Sequence, residues 1–183
     1  MKNEMICAGF GGQGVLTAGM ILVEAGMRSG KNVLFYPSYG SEMRGGTANC
    51  TVKISDKRIA SPVSKHPDIL LALNTPAVDK FESCVKSGGI LLVNSSIVPD
   101  DREFRKDISV IKVPATDIAA EEQNLKAANL AMLGALAACT DLFDVDYLEK
   151  AILGFFEKKG KSIYNKKNAA CYQRGAAAVN TEE

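Results

Sequence analysis

Gly9, Gly11, Gly12 and Gly14 follow a short apolar run, residues 5–8, and lead into a helical pattern. Glycines in a strand-to-helix turn permit positive φ and let the backbone approach another group closely. A helix starting there directs free N–H groups and the positive end of its dipole at whatever lies over the turn. Gly9, Gly11 and Gly14 match the G-x-G-x-x-G spacing of a dinucleotide fingerprint. That fingerprint also needs an acidic residue about 20 residues on, closing the second strand, to hold a ribose. The second apolar run, residues 32–36, passes instead into Pro37, Ser38 and Tyr39, with no Asp or Glu. A free-standing nicotinamide or flavin site is therefore disfavoured. The turn reads either as a tight packing corner or as a helix start that binds an anion or a partner.

A second stretch carries chemistry. Residues 37–46 form a loop by their glycines and proline, yet they hold Tyr39, Glu42 and Arg44, the last followed by Gly45 and Gly46. A guanidinium beside open backbone N–H groups suits phosphate or carboxylate. An internal Glu42–Arg44 ion pair that stiffens the loop is the competing reading. Tyr39 or Glu42 has the chemistry of an acid or base, but no local feature would tune its pKa.

The remaining reactive residues do not assemble. Cys7, Cys50, Cys84, Cys139 and Cys171 are odd in number and never at metal-cluster spacing. Cys7, Cys50 and Cys139 sit in contexts typical of buried thiols. The single histidine, His66, falls in a polar stretch ending at Pro67, which leaves a cysteine nucleophile without an evident base. There is no placeable carboxylate pair. A loop-rich edge on an apolar scaffold thus points to a subunit that completes another chain's site.

These loops need a frame. The 183 residues suit one α/β domain, 1–183, and the net charge of +1 with interspersed signs gives no nucleic-acid footprint. The longest uncharged stretch, 5–23, is broken by glycines and flanked by Glu4 and Glu24, so it reads as strand, turn and helix, not as a signal or a membrane span. Cytoplasmic location is the expectation. A first helix over 14–29 ends with Gly30 as its C′ residue, and its apolar face is wide enough to imply central burial or cover by another subunit. A strand over 47–54 turns at 55–57 into a short return strand over 58–61. Buried strands follow at 68–74, 90–93 and 109–113, with a helix over 76–87 capped by Thr75. Helices fill the rest: one after Thr116, a small-residue segment from Ala127 to Cys139, one capped by Asp144, and one over 164–179. Apolar strands interleaved with helices predict a three-layer α/β/α sandwich, with a mostly parallel sheet and an antiparallel edge hairpin. In such a sheet the Gly9–Gly14 turn, the 39–46 loop and 94–96 all follow strands and converge on one edge.

Gly9-x-Gly11-Gly12-Gln13-Gly14-Val15 with Ala18-Gly19, then Pro37-Ser-Tyr-Gly-x-Glu-x-Arg-Gly-Gly46, resembles the γ subunit of the 2-oxoacid:ferredoxin (acceptor) oxidoreductases. Asn74-x-Pro76-Ala, Gly88-Gly89, Asn129-x-x-Met-Leu-Gly-Ala135 and the 168–175 region extend the resemblance over essentially the whole chain. It implies a complex that oxidatively decarboxylates a 2-oxoacid to its acyl-CoA, with 2-oxoglutarate favoured over pyruvate, and that passes electrons to ferredoxin or flavodoxin. It implies α, β and ferredoxin-like δ partners. Thiamine diphosphate with Mg²⁺, the iron–sulfur clusters and coenzyme A would be bound on those subunits, with no cofactor held by this chain alone. It further implies that Gly11, Gly12, Gln13, Tyr39, Glu42, Arg44, Gly45 and Gly46 face neighbouring subunits or the coenzyme A path. No catalytic role is carried over. A nucleotide-binding enzyme and a pure scaffold remain the other readings.

Overall fold

Met5, Ile6, Cys7 and Ala8 are all buried, although alternate side chains on a strand point to opposite faces. Their strand must therefore be covered on both sides. In the computed structural model, which describes residues 2–39 and 47–179, this is β1 (Lys2–Phe10). The other strands are β2 (Asn32–Tyr39), β3 (Thr47–Ser55), β4 (Ile69–Ala72), β5 (Ile90–Asn94) and β6 (Ser109–Val113). The sheet order is β2-β3-β1-β4-β5-β6. β1, β4, β5 and β6 run parallel, while β3 is antiparallel to both β1 and β2. The expected α/β/α sandwich is present, and its antiparallel edge hairpin is made by β2 and β3, not by 47–54 with 58–61.

Helices α1 (Val15–Arg28), α3 (Ala115–Glu121), α4 (Ala128–Cys139), α5 (Val145–Lys158) and α6 (Asn165–Ala178) pack on one side. The other side carries α2 (Thr75–Phe81), a 3-10 turn over Glu82–Cys84 and extended chain. Met5 and Cys7 join the first cluster and Ile6 and Ala8 the second, as the pleat requires. α1 lies directly on the sheet: a Cβ at Gly19 would come 2.5 Å from Cys50 Sγ, and one at Gly26 would come 2.6 Å from Val33 Cγ1. Its outer side meets α5, where Tyr147 Oη donates to Ala25 O at 2.8 Å and Lys158 pairs with Glu24 at 2.7 Å. Val15, Ala18, Ile21, Leu22 and Ala25 on this helix are thus buried within the chain, whereas Leu16, Met20 and Val23 are half-buried and Met27 is exposed. Gly30 is its C′ residue, with φ of 74° and Lys31 N donating to Gly26 O.

α4 is apolar around its whole circumference because the sheet lies beneath it and α6 above. The two helices touch backbone to backbone. A Cβ at Gly134 would sit 1.9 Å from Tyr172 O, and one at Gly175 would sit 1.9 Å from Ala131 O.

Several local expectations change, among them that Pro37, Ser38 and Tyr39, read as the start of the loop, pair with β3 as the end of β2. Residues 58–61 form no strand, because β3 is already hydrogen-bonded along both edges, to β1 and to β2, and has none left to offer. That segment instead crosses the sheet face and is pinned by Lys53 Nζ donating to Val63 O (2.7 Å) and Ser64 Oγ to Glu4 (2.5 Å). The helix expected over 76–87 ends at Phe81 and tightens to Cys84. Arg105 Nη1 donates to the carbonyls of Glu82, Ser83 and Val85 there, which releases the chain from the α-helical pattern. Asn74, not Thr75, is the cap, its Oδ1 accepting from Ala77 N at 2.9 Å.

Burial alone would push the Glu4 carboxyl up, but hydrogen bonds from Lys2, Ser64 and buried Lys53 outweigh it and hold the group down, from 4.5 to about 2. A depressed carboxylate stabilises the fold above its unfolded pKa, and that contribution fades as pH falls through the folded value. Glu4→Gln should therefore be less stable than the parent at pH 7, with the gap closing as pH is lowered from 4.5 to about 2, read by urea unfolding. Gly134→Ala should lose about 2 kcal/mol or more, because two backbones must separate to admit a methyl group; thermal unfolding checks this.

Candidate functional site

The parallel strands deliver their carboxyl ends to one edge, and β2 points the same way. Phe10 faces Thr47 across the β1–β3 ladder and the Tyr39 backbone faces Ala48, so the described chain departs and returns beside the Gly11–Gly14 turn. Glu42, Arg44, Gly45 and Gly46 lie outside the described residues, as does the Glu42–Arg44 pairing expected from sequence.

Gly12 and Gly14 have φ of 97° and 75°. Gly14 is the N-cap of α1, with no side-chain cap and no acid in the first turn. It needs glycine for space as well, since a Cβ would meet Asn129 Nδ2 at 2.6 Å. Asn129 itself donates to Gly14 O at 3.0 Å, tying the start of α4 to the turn. Gly11 and Gly12 are exposed, whereas Gln13 folds inward.

The Gln13 carboxamide is the hub of this edge. Its Oε1 accepts from Phe10 N (2.6 Å) and from Asn74 Nδ2 (2.9 Å), and its Nε2 donates to Leu73 O (3.2 Å). Asn94, at the end of β5, donates through Nδ2 to the same Leu73 O (3.3 Å) and to Thr116 Oγ1 (2.8 Å). Thr116 N returns a bond to Asn94 Oδ1 at 3.3 Å. Gln13, Asn74 and Asn94 thus bind together the ends of β1, β4 and β5 and the start of α3. Gly9 leaves room for this, because a Cβ there would lie 2.7 Å from Gln13 Oε1.

The clasp is built from carboxamides and a hydroxyl, which neither gain nor lose a proton near neutral pH. It positions; it does not move protons. Among the described residues, the groups whose titration the fold displaces lie outside the clasp. Burial pushes the Cys139 and Cys171 thiols up to about 11. Cys7 stands opposite Cys50 across β1–β3, and its thiol is raised well above 9.0 by its hydrogen bond with Cys50 and then by burial. His66 is exposed in the 61–67 segment, away from the buried thiols of the core. Among the described residues, no three His, Cys, Asp or Glu side chains come together in a way that would hold a metal ion. No described helix is long and apolar enough to cross a membrane. The sequence placed Gln13 in the turn but did not reveal Asn74 as its partner or Asn94 as the second donor to Leu73 O; the only trace was an Asn at the end of two successive apolar runs.

A family model described as pyruvate ferredoxin/flavodoxin oxidoreductase matches residues 4–178. The chain belongs to this family. It is 38% identical over 177 residues to the 2-oxoglutarate synthase subunit KorC of Methanocaldococcus jannaschii, covering 96% of this chain and 92% of that one. It is 42% identical over 158 residues to the ketoisovalerate oxidoreductase subunit VorA of Methanothermobacter marburgensis, covering 85% of this chain but only 32% of that longer protein. The crystal structure of a keto/oxoacid ferredoxin oxidoreductase γ subunit from Geobacter sulfurreducens superimposes with a TM-score of 0.81 at 30% identity, over 97% of this chain and 98% of that one. The resemblance read from the two glycine motifs is thereby established as family membership.

Replacing Gln13 by Leu strands Phe10 N and removes one of the two donors on Leu73 O. It should cost about 1–3 kcal/mol in urea unfolding. Gln13→Glu, nearly isosteric, sets a carboxylate oxygen against Leu73 O at neutral pH. Its deficit should shrink on acidification, when the acid regains a donor.

Proposed function

We propose that this chain is the γ subunit of a 2-oxoacid:ferredoxin oxidoreductase, and that it completes an assembly with α, β and ferredoxin-like δ subunits without catalysing alone. The observation that carries this reading is the carboxyl-edge clasp. It fixes an exposed glycine turn in place with neutral amides and offers no proton-transfer group of its own. Such an edge is suited to presenting backbone to a neighbour. In this reading the complex oxidatively decarboxylates a 2-oxoacid to an acyl-CoA in the cytoplasm. Its thiamine diphosphate, Mg²⁺, iron–sulfur clusters and coenzyme A are held by the partner subunits, and ferredoxin or flavodoxin takes the electrons.

For the substrate we favour 2-oxoglutarate. The match to the KorC protein runs nearly end to end in both chains, whereas the match to VorA, though higher in identity, spans only 32% of that protein. Within the 39–46 loop we assign partner or coenzyme A contacts to Tyr39, Glu42, Arg44, Gly45 and Gly46, joined by Gly11, Gly12 and Gln13 of the turn.

Two measurements test this reading. A complex reconstituted with its partner chains should turn over 2-oxoglutarate with a higher kcat/KM than pyruvate or 2-oxoisovalerate, and the purified chain alone should turn over none of them. Arg44→Ala should lower turnover or assembly at least several-fold while leaving the thermal unfolding of this chain unchanged. Normal assembly together with unchanged coenzyme A affinity would remove the loop from the interface.

A further inference from the structure

At the opposite edge of the sheet the chain concentrates charge. A hollow of about 470 Å³ is lined by Lys2, Lys53, Lys57 and Arg58, with Ser55 and Ser61 among the residues between them. The whole chain carries a net charge of only +1. Strand alternation accounts for the floor: Val52 and Ile54 face α1, so Lys53 and Ser55 face the other way, and Lys2 lies beside Ser55 in the β1–β3 register. The wall is the 57–61 segment, which leaves the sheet because β3 has no free edge.

The neighbouring acids are already engaged. Glu4 takes both Lys2 and Lys53, and Asp56 takes Lys31. Lys57 and Arg58 are exposed, and among the described residues neither side chain has an ion-pair or hydrogen-bond partner. Lys53 is almost wholly buried, 2% exposed, with its ammonium held by Val63 O and Glu4, while the fork of Arg58 is free to take two oxygens. The volume lies within the roughly 300–1,000 Å³ of small-molecule sites, and a hollow with cations on floor and wall surrounds a compact anion better than it meets a flat protein face.

We propose that this hollow is a binding site for a phosphate group, held by Lys57 and Arg58 from the wall, over a floor where Lys2 and Lys53 share Glu4 and leave one positive charge in excess. β1 separates it from the glycine turn by about 26 Å, eight steps of ~3.3 Å. It is therefore a second site, independent of the subunit role proposed above.

Inorganic phosphate titrated into the full-length ¹⁵N-labelled chain at constant ionic strength tests it. The amides of residues 55–61 should shift saturably with phosphate and not with chloride, and Lys57→Ala/Arg58→Ala should weaken the affinity at least tenfold. Lys161→Ala, at a distant exposed lysine, should leave it unchanged. Adenosine monophosphate in a parallel titration identifies the source: tighter binding than phosphate assigns a phosphate ester, and equal binding assigns the free ion. Non-saturating shifts, an equal response to chloride, or affinity within twofold in the double variant would overturn the site. So would an acidic segment of a partner subunit cross-linked to Lys57 in the assembled complex.

Discussion

Leu73, the residue after β4, is fully buried, and its carbonyl lies beyond the last paired position of the strand. A buried carbonyl without donors costs free energy comparable to a lost hydrogen bond. Here two carboxamides converge on it, Gln13 from the turn after β1 and Asn94 from the end of β5. The geometry of the carboxyl edge depends on that requirement. Because Gln13 must reach Leu73, the glycine turn is drawn down over β4, and Gly11 and Gly12 are left as its exposed crest. Because Asn94 must reach the same oxygen, α3 is anchored through Thr116 next to that crest.

The same arrangement explains why so much glycine is needed near the turn. Gly9 makes space for the Gln13 carboxamide, and Gly14 makes space for Asn129 while holding a positive φ. These are packing requirements as much as conformational ones. They reconcile the two readings of the turn: it is a tight corner, and its tightness is what presents the backbone outward. The α4–α6 contact at Gly134 and Gly175 plays the corresponding part on the helical side, holding the layer that carries Asn129 against the sheet.

Much of the frame was legible in the residues. Gly30 marked the end of α1, the continuous apolar runs marked strands buried on both faces, and the wide apolar face of α1 marked a helix with cover on two sides. What escaped depended on distant partners. Whether 58–61 could pair as a strand turned on β2 and β1 already flanking β3, and sheet order is not written in a local pattern. The early end of α2 is set by Arg105, more than twenty residues on. The clasp joins Gln13 to Asn74 across 61 positions, so no window of sequence contains both ends. The family itself was legible because the glycine motifs are local and specific.

The central claim is that the carboxyl edge, held by the Leu73 clasp, is the surface this chain lends to an assembly. Amide hydrogen exchange on the free chain and on the complete complex tests it most directly. Peptides covering residues 9–17 should gain protection on assembly, while those covering 145–158 on the outer helical face exchange as in the free chain. Unchanged exchange at 9–17, with protection gained on the outer helices instead, would contradict the account.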